Sequence, residues 1–483
     1  MMMSMFASVS GLKAHQIRMD VIGNNIANVN TIGFKGARAT FQEIFAQTLS
    51  SGGAPDTMTG RGGTNPMQIG LGMNVDAIST DMGRGSVQRT ESPTDLSIEG
   101  EGFFIVRSGN EGAYSFTRAG NFTIDKAGNL VTSTGKNVYG WMKYTYGENG
   151  YEFDTQEPIR PINLYEDIYN TNKRIIAAKA TTEAILSGNL DATRPAIFGT
   201  TDETEPVDIT DGFLADGTES TAGDGIPDVD GQNVDPHFIV PINVYDDLGN
   251  EYKINLKFWK TYVYYNESED PDMRMTQWYY LVDPANGATA ESSDETIASG
   301  YLCFDSQGRI VTTDTNFPIS ADFVLKPAPE TGAGPFTVRL DMRQLSQYAD
   351  DSSVKPMRVD GYPPGTLVTF SIGDDGVITG VYDNGRQQPL GLIALATFEN
   401  PAGLEKVGAN EFRQTTNSGD FKLPNKPGTS GAGTLVPGTL EMSNVDLAGQ
   451  FTDMIITQRG FQANSRVLTT TDELLQELAN IKR

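Results

Sequence analysis

Apolar residues recur at every seventh position near both ends of the chain. The N-terminal stripe consists of Met5, Leu12, Met19 and Ile26, with Val9 and Ile22 beside it. The C-terminal stripe consists of Leu440, Leu447, Met454, Phe461, Leu468 and Leu475, with Phe451 beside it. A heptad repeat indicates a helix that packs against another helix. The sequence therefore predicts a terminal helix pair, which either closes one domain as a hairpin or packs against copies of the chain.

Both predicted helices contain residues that weaken an isolated helix. Gly11, Gly23 and Asn24-Asn25 interrupt the first helix, and Gly460 and Thr469–Thr471 interrupt the second. Glycine and β-branched residues lower helix propensity, and even good helix formers are marginal alone in water. We therefore expect both ends to be loose in the free chain and to become ordered on association.

The segment after the first helix is predicted to be an extended arm. The helix should end near Val29–Gly33, since Asn28, Asn30 and Gly33 accept turn geometry. The arm then covers residues 34–73, and its part from Ser50 to Pro66 is too poor in apolar residues to pack a core.

Strand patterns fill the middle of the chain. Short apolar runs around turn residues predict hairpins at 102–117, 122–131 and 367–382. From 251 to 258 every second residue is apolar, which indicates a strand with one buried face. We predict an inner β domain (74–159 and 358–437) and an inserted outer β domain (160–357) with an acidic loop at 199–235. With the helical domain (1–33 and 438–483), the predicted fold is a nested, mainly β multidomain protein with α-helical termini.

Charge and composition narrow the possible functions. Among 483 residues, 36 are basic and 62 acidic, for a net charge of −26. This balance argues against a nucleic-acid partner, which needs clustered Lys and Arg. No run of about 20 apolar residues predicts membrane insertion. Residues 1–11 lack the pattern of a cleavable signal peptide, so we expect either a cytoplasmic protein or export by a route that needs none.

Several motifs together resemble one known family. The segments 8–35 and 438–483, together with DLSIEGEGFFIV (95–106), FTRAGNFTIDKAGNLVTSTG (116–135) and FENPAGLEKVGANEF (398–412), resemble bacterial flagellar rod, hook and hook-associated proteins. Segments 239–258, 301–310 and 359–391 are similar to hook proteins in particular. The signature positions are Gly23, Asn24, Asn25, Asn28, Gly33, Phe34, Asn444, Asp446, Gln458 and Arg459.

The resemblance implies a structural role without catalysis or cofactor. It implies a homopolymeric tube, with the terminal helices as a coiled coil around a channel, that serves as a universal joint. The implied partners are the distal rod, the hook cap, the hook-filament junction proteins and the flagellar type III export apparatus. A distal rod or other axial protein is the alternative. The long arm resembles that of distal rod proteins, from which we expect a stiffer tube.

Candidate chemistry is sparse elsewhere. The two histidines, His15 and His237, lie in different predicted domains, and no catalytic set emerges. Asp224, Asp228 and Asp230 have short spacing around glycine, as in some calcium loops. A solvated acidic loop is the preferred interpretation, and a calcium-dependent extracellular binding module is a distant alternative. Cys303, the single cysteine, excludes an intrachain disulfide and is predicted to be buried, with an intersubunit link as the alternative.

Overall fold

The chain divides into two compact units. The computed structural model describes residues 2–55, 60, 62–109, 112–147, 150–166, 172–201, 228–229, 232–265, 274–284, 289–290, 298–311, 320–421 and 423–481. Unit 1 comprises Met1–Arg174, Val368–Val381 and Gln387–Arg483, and unit 2 comprises Ile175–Leu367 and Tyr382–Arg386. Unit 2 therefore begins and ends later than the predicted outer domain of 160–357.

The two α-helices are α1 (Met2–Ala27) and α2 (Leu447–Ile481). Asp446 caps α2, because its carboxylate accepts the N–H groups of Ala448 and Gly449 at 3.0 and 3.2 Å. Within the described part of the chain, neither helix combines the length and the apolar character needed to cross a membrane.

The prediction that Leu440 belongs to the C-terminal helix is wrong. Leu440 lies in a strand, Thr439–Glu441, and pairs with Gln88. Gly438 adopts φ +65°, and the Asp446 cap fixes the start of the helix after Leu440. The seven-residue spacing between Leu440 and Leu447 is therefore coincidental.

The predicted arm is a long β-hairpin. Its strands are β1 (Ala37–Glu43), β2 (Ala46–Ser50), β3 (Met67–Gly70) and β4 (Met73–Thr80). β1 pairs with β4 and β2 pairs with β3, all antiparallel. The hairpin thus continues to Thr80, past the predicted boundary at residue 73. Large apolar side chains remain exposed along it, namely Ile44, Phe45, Leu49, Met67 and Ile69.

The first ten strands after the arm belong to unit 1. They are β5 (Val87–Arg89), β6 (Leu96–Glu99), β7 (Phe103–Arg107), β8 (Ser115–Thr117), β9 (Thr123–Ile124), β10 (Leu130–Val131), β11 (Asn137–Trp141), β12 (Tyr144–Gly147), β13 (Gly150–Phe153) and β14 (Arg160–Pro161). The predicted hairpins β7–β8 and β9–β10 are confirmed by their antiparallel pairing. β14 pairs with β11, which keeps residues 160 and 161 in unit 1.

Unit 2 contains most of the longer strands. In chain order they are β15 (Ile175–Ile176), β16 (Glu183–Asp191), β17 (Thr200–Thr201), β18 (Asp228–Val229), β19 (Gln232–Asn233), β20 (Phe238–Tyr245), β21 (Glu251–Tyr265), β22 (Arg274–Pro284), β23 (Thr289–Ala290), β24 (Ala298–Phe304), β25 (Ser320–Lys326), β26 (Phe336–Tyr348), β27 (Lys355–Val359) and β28 (Gly365–Ile372), the last of which continues into unit 1. A 3-10 turn, Pro329–Thr331, precedes β26.

Two sheets of unit 2 share one apolar core. One has the order β23-β25-β26-β16-β27, and the other has the order β17-β21-β22-β24 with β20 on β21. The predicted alternation in β21 is confirmed, because Tyr252, Ile254, Leu256 and Phe258 are all buried in this core. Cys303 is buried in β24, as predicted. Asp224 and Asp230 of the candidate calcium loop lie outside the described residues.

The chain then completes unit 1. Its last strands are β29 (Val377–Tyr382), β30 (Gln387–Ile393), β31 (Leu395–Ala396), β32 (Glu405–Gly408), β33 (Glu411–Arg413), β34 (Thr434–Pro437) and β35 (Thr439–Glu441), with a 3-10 turn at Pro401–Gly403. The main sheet runs β29-β30-β11-β7-β8-β33-β32, so N- and C-terminal strands interleave. β34 pairs with β6 and β35 with β5, which brings the start of α2 back to the N-terminal region. The prediction of a mainly β protein with helical termini is confirmed.

Candidate functional site

Helices α1 and α2 form an antiparallel pair. The facing residues are Gly11 with Asn464, His15 with Gly460, Arg18 with Asp453, and Asn25 with Gln450. Residue numbers rise along one helix as they fall along the other, which fixes the antiparallel direction. The Arg18–Asp453 ion pair spans 3.0 Å, and the amide of Asn25 donates to Gln450 Oε1 at 3.0 Å.

The contact line of this pair consists of small and polar residues. On α2 it follows Gln450, Thr457, Asn464 and Thr471, seven residues apart, and Thr457 and Thr471 are buried. Gly11 and Gly460 lie on it because a Cβ at either position would come within 2.7 Å of the opposing side chain. The glycines that weaken each helix therefore allow the close approach of the two.

The predicted apolar stripes lie beside the contact line. They follow by one residue the contact positions Gly11, Arg18 and Asn25 on α1 and Asp453 and Gly460 on α2. On α2, Leu447, Phe451, Phe461 and Leu475 are exposed, while Met454 and Leu468 are half-buried. On α1, Met5, Val9, Leu12, Met19 and Ile26 are half-buried, and Ile22 is buried. We expect Leu447, Met454, Phe461 and Leu468 to meet both α1 of the same chain and helices of neighbouring copies, and the part of each side chain that stays exposed is available to a neighbour.

Asn25 and Asn444 join the helix pair to the arm. The Asn25 side chain accepts the N–H of Ala37 at 3.0 Å and donates to the carbonyl of Ala37 at 2.8 Å. Asn444 accepts the N–H of Gly36 at 2.8 Å and donates to the carbonyl of Asp81 at 2.9 Å. These two side chains act in place of backbone partners where the chain leaves α1 and where it approaches α2.

The remaining signature residues of the helices lie at exposed positions or in the turn after α1. The Asn28 amide donates to the Asn24 carbonyl at 2.9 Å, in the turn that ends α1. Gly23 is exposed, and a Cβ there would meet nothing within 4 Å. Gln458 and Arg459 are exposed on α2, away from the contact line.

Gly33, Phe34 and Lys35 form a tight junction with the inner sheet. Gly33 adopts φ +67°, and a Cβ there would lie 2.6 Å from the backbone nitrogen of Ala119. Phe34 is buried, with the ammonium of Lys406 5.0 Å from its ring centroid. Both the backbone conformation and the close approach require glycine at position 33.

A buried carboxylate, Glu441, binds this junction together. Its Oε1 accepts from Lys35 Nζ at 2.6 Å and from the Gly85 N–H at 2.9 Å. Its Oε2 accepts from Arg118 Nη1 at 3.3 Å. The three charged side chains are at most 5% exposed. Burial alone would raise the pKa of Glu441, but Lys35, the Gly85 N–H and Arg118 outweigh it and keep this pKa below its usual value.

Sequence reasoning missed Glu441 and Arg118 as functional positions. Glu441 falls in the predicted helical domain of 438–483, although α2 begins at Leu447, and Arg118 falls in the family-like motif at 116–135. The available signal at Glu441 was a charged residue between the apolar Leu440 and Met442; Arg118, between Thr117 and Ala119, offers no such signal.

A polar cavity of about 430 Å³ lies between α1, β1 and the start of α2. Its charged lining residues are Arg18, Arg38, Asp81, Asp446 and Asp453. Across the described ranges, no group of three or more metal-ligating side chains occurs. The polar contacts described above for unit 1 are those that hold the helices, the arm and the sheet together.

Replacing Gly33 with alanine should destabilise the junction. The left-handed backbone alone costs an L-residue roughly 1–2 kcal/mol, and the overlap with Ala119 adds to it. Gly23→Ala is the matched control and should raise the free energy of unfolding by up to about 1 kcal/mol. Urea unfolding followed by helical circular dichroism measures both, and equal effects of the two changes would contradict the assignment.

Glu441→Gln should lower the free energy of unfolding far more than the same change at an exposed ion pair. Removing one partner from buried charges costs about 3–5 kcal/mol, since Lys35 and Arg118 stay buried. The control is Glu405→Gln, whose partner Arg413 lies at 2.7 Å and where both side chains are more than half exposed. That change should cost less than about 1 kcal/mol in the same unfolding measurement. A small loss at Glu441 would show that the junction does not depend on this carboxylate.

Four family models match the chain in order. They describe a flagella basal body rod protein (5–35), the flagellar hook protein FlgE/F/G D1 domain (97–172), the flagellar basal body protein FlaE D2 domain (237–362) and the flagellar basal body rod FlgEFG protein C-terminal (436–481). The outer two cover α1 and α2, and the D2 match falls within unit 2.

Curated relatives match over the full length. The chain is 37% identical to the flagellar hook protein FlgE of Borreliella burgdorferi and 36% identical to that of Treponema pallidum, with all of each chain covered. It is 27% identical to the flagellar basal-body rod protein FlgG of Bacillus subtilis, again over all of both chains. Both of these hook proteins exceed this rod protein in identity. The chain belongs to the flagellar hook protein FlgE family.

Proposed function

We propose that this structural subunit of the bacterial flagellar hook polymerises with copies of itself through the apolar side of its terminal helix pair. The observation that carries the proposal is the exposure of large apolar residues on α2. They are Leu447, Phe451, Ile455, Ile456, Phe461, Val467, Leu474, Leu475 and Ile481. Hook proteins are structural, and the proposal involves no catalysis or cofactor.

Heptad geometry supports one continuous apolar strip on the pair. In an antiparallel pair, the positions that follow the contact line by one residue lie on the same side of both helices. Leu12, Met19 and Ile26 follow Gly11, Arg18 and Asn25, and Met454 and Phe461 follow Asp453 and Gly460. The apolar stripes of α1 and α2 thus run side by side, partly open to a neighbour.

The hydrophobic effect favours burial of this strip against a neighbouring copy. Monomeric proteins rarely leave extended apolar surface in water, and such surface marks an interaction site. Burial of the strip between copies removes it from water and favours the polymer. The polar residues Gln458, Ser465 and Asp472 continue the heptad position of Phe451, beside the apolar stripe of α2, and are suited either to a channel lumen or to setting register.

The arm hairpin is a second contact surface in the proposal. Its exposed apolar side chains lie just before β2, in β2 and in β3, the two strands that pair with each other. We propose that neighbouring copies cover them, and that the arm thereby limits sliding between subunits.

The wider role follows from family membership. The hook lies outside the cell membrane, and we propose that this chain reaches it unfolded through the flagellar type III apparatus without a cleavable signal. Its proposed partners at the ends of the tube are the distal rod, the hook cap and the hook-filament junction proteins. The tube would act as a universal joint between rod and filament.

Phe461→Gln should impair polymerisation without unfolding the monomer. The side chain is 40% exposed in the single chain, so the change removes little intrachain packing. Losing its burial between copies costs about 1.5–3 kcal/mol, so the concentration at which polymer forms should rise roughly 10- to 100-fold. Sedimentation and electron microscopy measure polymer, and circular dichroism checks the monomer.

Val407→Gln is the matched control for this test, because Val407 is equally apolar and 53% exposed in β32. It should polymerise like wild type. A Phe461 variant that polymerises at the wild-type concentration would refute the proposed interface. Straight rather than curved tubes from the wild-type chain would favour a rod-like role.

Deleting Ser50–Pro66 should make the tube more flexible. The deletion removes the last residue of β2 and the chain segment between β2 and β3, and so shortens the arm. Bending stiffness of isolated tubes, measured from thermal fluctuations in micrographs, should fall. A second variant with a Gly/Ser segment of equal length separates the effect of reach from that of specific contact. Unchanged stiffness on deletion would refute the role of the arm.

A further inference from the structure

The loop that joins β29 to β30 contains an Asn-Gly pair. Asn384 and Gly385 lie in the segment Tyr382–Arg386, which belongs to unit 2. The Gly385 N–H donates to the Tyr382 carbonyl at 3.0 Å, and Gly385 adopts φ +76°. Asn and Gly are residues that such tight turns favour. The proton of the Gly385 nitrogen is thus engaged within the turn.

An Asn-Gly pair is chemically reactive in a flexible chain. The glycine nitrogen, once it has lost its proton, attacks Cγ of the asparagine side chain. The bond between Cγ and the amide nitrogen breaks, and ammonia leaves with that proton. Water then opens the resulting succinimide ring to give aspartate or isoaspartate. Glycine favours the attack because it has no Cβ to hinder the approach.

The fold holds both polar atoms of the Asn384 amide. Nδ2 donates to the Pro363 carbonyl at 2.8 Å, and Oδ1 accepts the N–H of Arg386 at 3.0 Å. Gly365 packs against the same side chain, since a Cβ there would lie 2.5 Å from Cγ of Asn384. These contacts fix Cγ in place and prevent its rotation toward the Gly385 nitrogen.

Two further contacts fasten the loop on either side of Asn384. The Asp383 carboxylate accepts the N–H and the hydroxyl of Thr366 at 2.9 and 2.6 Å. The Arg386 guanidinium lies 4.5 Å from the ring centroid of Tyr362. A reactive geometry at Asn384 therefore requires the loop to open.

We propose that Asn384 is a self-modifying site that folding inactivates: in the unfolded chain it converts to aspartate or isoaspartate, and in the folded chain the loop prevents this reaction. Burial is not the cause of the protection, because Asp383 and Gly385 are exposed to water. The cause is the set of contacts around the amide. In the folded chain the reaction proceeds only from molecules whose loop has opened.

Conversion damages the loop that it modifies. A carboxylate oxygen in the place of Nδ2 cannot donate to the Pro363 carbonyl, and isoaspartate adds a side-chain carbon to the backbone. The consequence for assembly rests on the proposed function, in which the chain is unfolded before export. A copy that stays unfolded would be modified at Asn384, whereas a folded copy in the tube would be protected.

Peptide mass spectrometry of the full-length chain tests the proposal. Trypsin cleaves after Arg358 and Arg386, and the peptide 359–386 contains Asn384 as its single asparagine and has no glutamine. A gain of one mass unit in this peptide therefore reports on Asn384 alone. The gain should accumulate in urea at mildly alkaline pH, and should be slower by roughly 10-fold or more in the folded chain.

The pairs Asn149-Gly150 and Asn286-Gly287 serve as references for the reaction in urea. An Asn384 that stays unmodified in urea while these two react would overturn the proposal. Equal rates at Asn384 in the folded and the unfolded chain would overturn it as well. These measurements use single chains, so their outcome does not depend on polymerisation or export.

Gly365→Ala tests the contacts themselves. Its methyl group displaces the Asn384 side chain, so the folded variant should be modified faster than folded wild type. Gly334→Ala is the matched control, because a Cβ there would meet nothing within 4 Å, and it should react like wild type. Circular dichroism checks that both variants are folded, and if Gly365→Ala is not, the wild-type comparison decides. An unchanged rate in folded Gly365→Ala would refute the protection by these contacts.

Discussion

The connection between the terminal helices and the inner sheet depends on the buried carboxylate of Glu441. It is the acceptor for two buried cations, Lys35 just after α1 and Arg118 at the end of β8. Each charge is tolerable in the interior only because the other two are present. Since Glu441 comes from the C-terminal part of the chain and its partners from the N-terminal part, this junction is complete only when both ends have met.

Beyond the junction, one face of the helix pair forms the contact within the chain, and another face carries exposed apolar side chains. Small and polar residues form the contact within one chain, as with Gly11 against Asn464 and Gly460 against His15. Such contacts fix geometry but bury little apolar area, so they supply little of the hydrophobic driving force. Large apolar side chains of α2 remain exposed in the single chain, and through them we propose that copies of the chain associate.

The sequence predicts the helices and strands of this fold better than it predicts which elements pack against one another. Alternation correctly predicts the buried face of β21, because side chains in a strand alternate whatever the neighbouring strand is. The heptad repeat predicts helices but does not say which partner covers the stripe, so the intrachain contact line escapes it. Leu440 fits the repeat by coincidence, and the pairing of Glu441 with Lys35 and Arg118 depends on contacts distant in sequence.

The glycines of the two helices differ in what surrounds them. Gly11 and Gly460 lower helix propensity, yet a Cβ at either position would come within 2.7 Å of the opposing side chain. Their cost is thus offset by packing within one chain. Gly23 differs, because it is exposed on α1 and a Cβ there would meet nothing within 4 Å. No contact among the described residues offsets its cost, so low helix propensity has a packing explanation at Gly11 and Gly460 but not at Gly23.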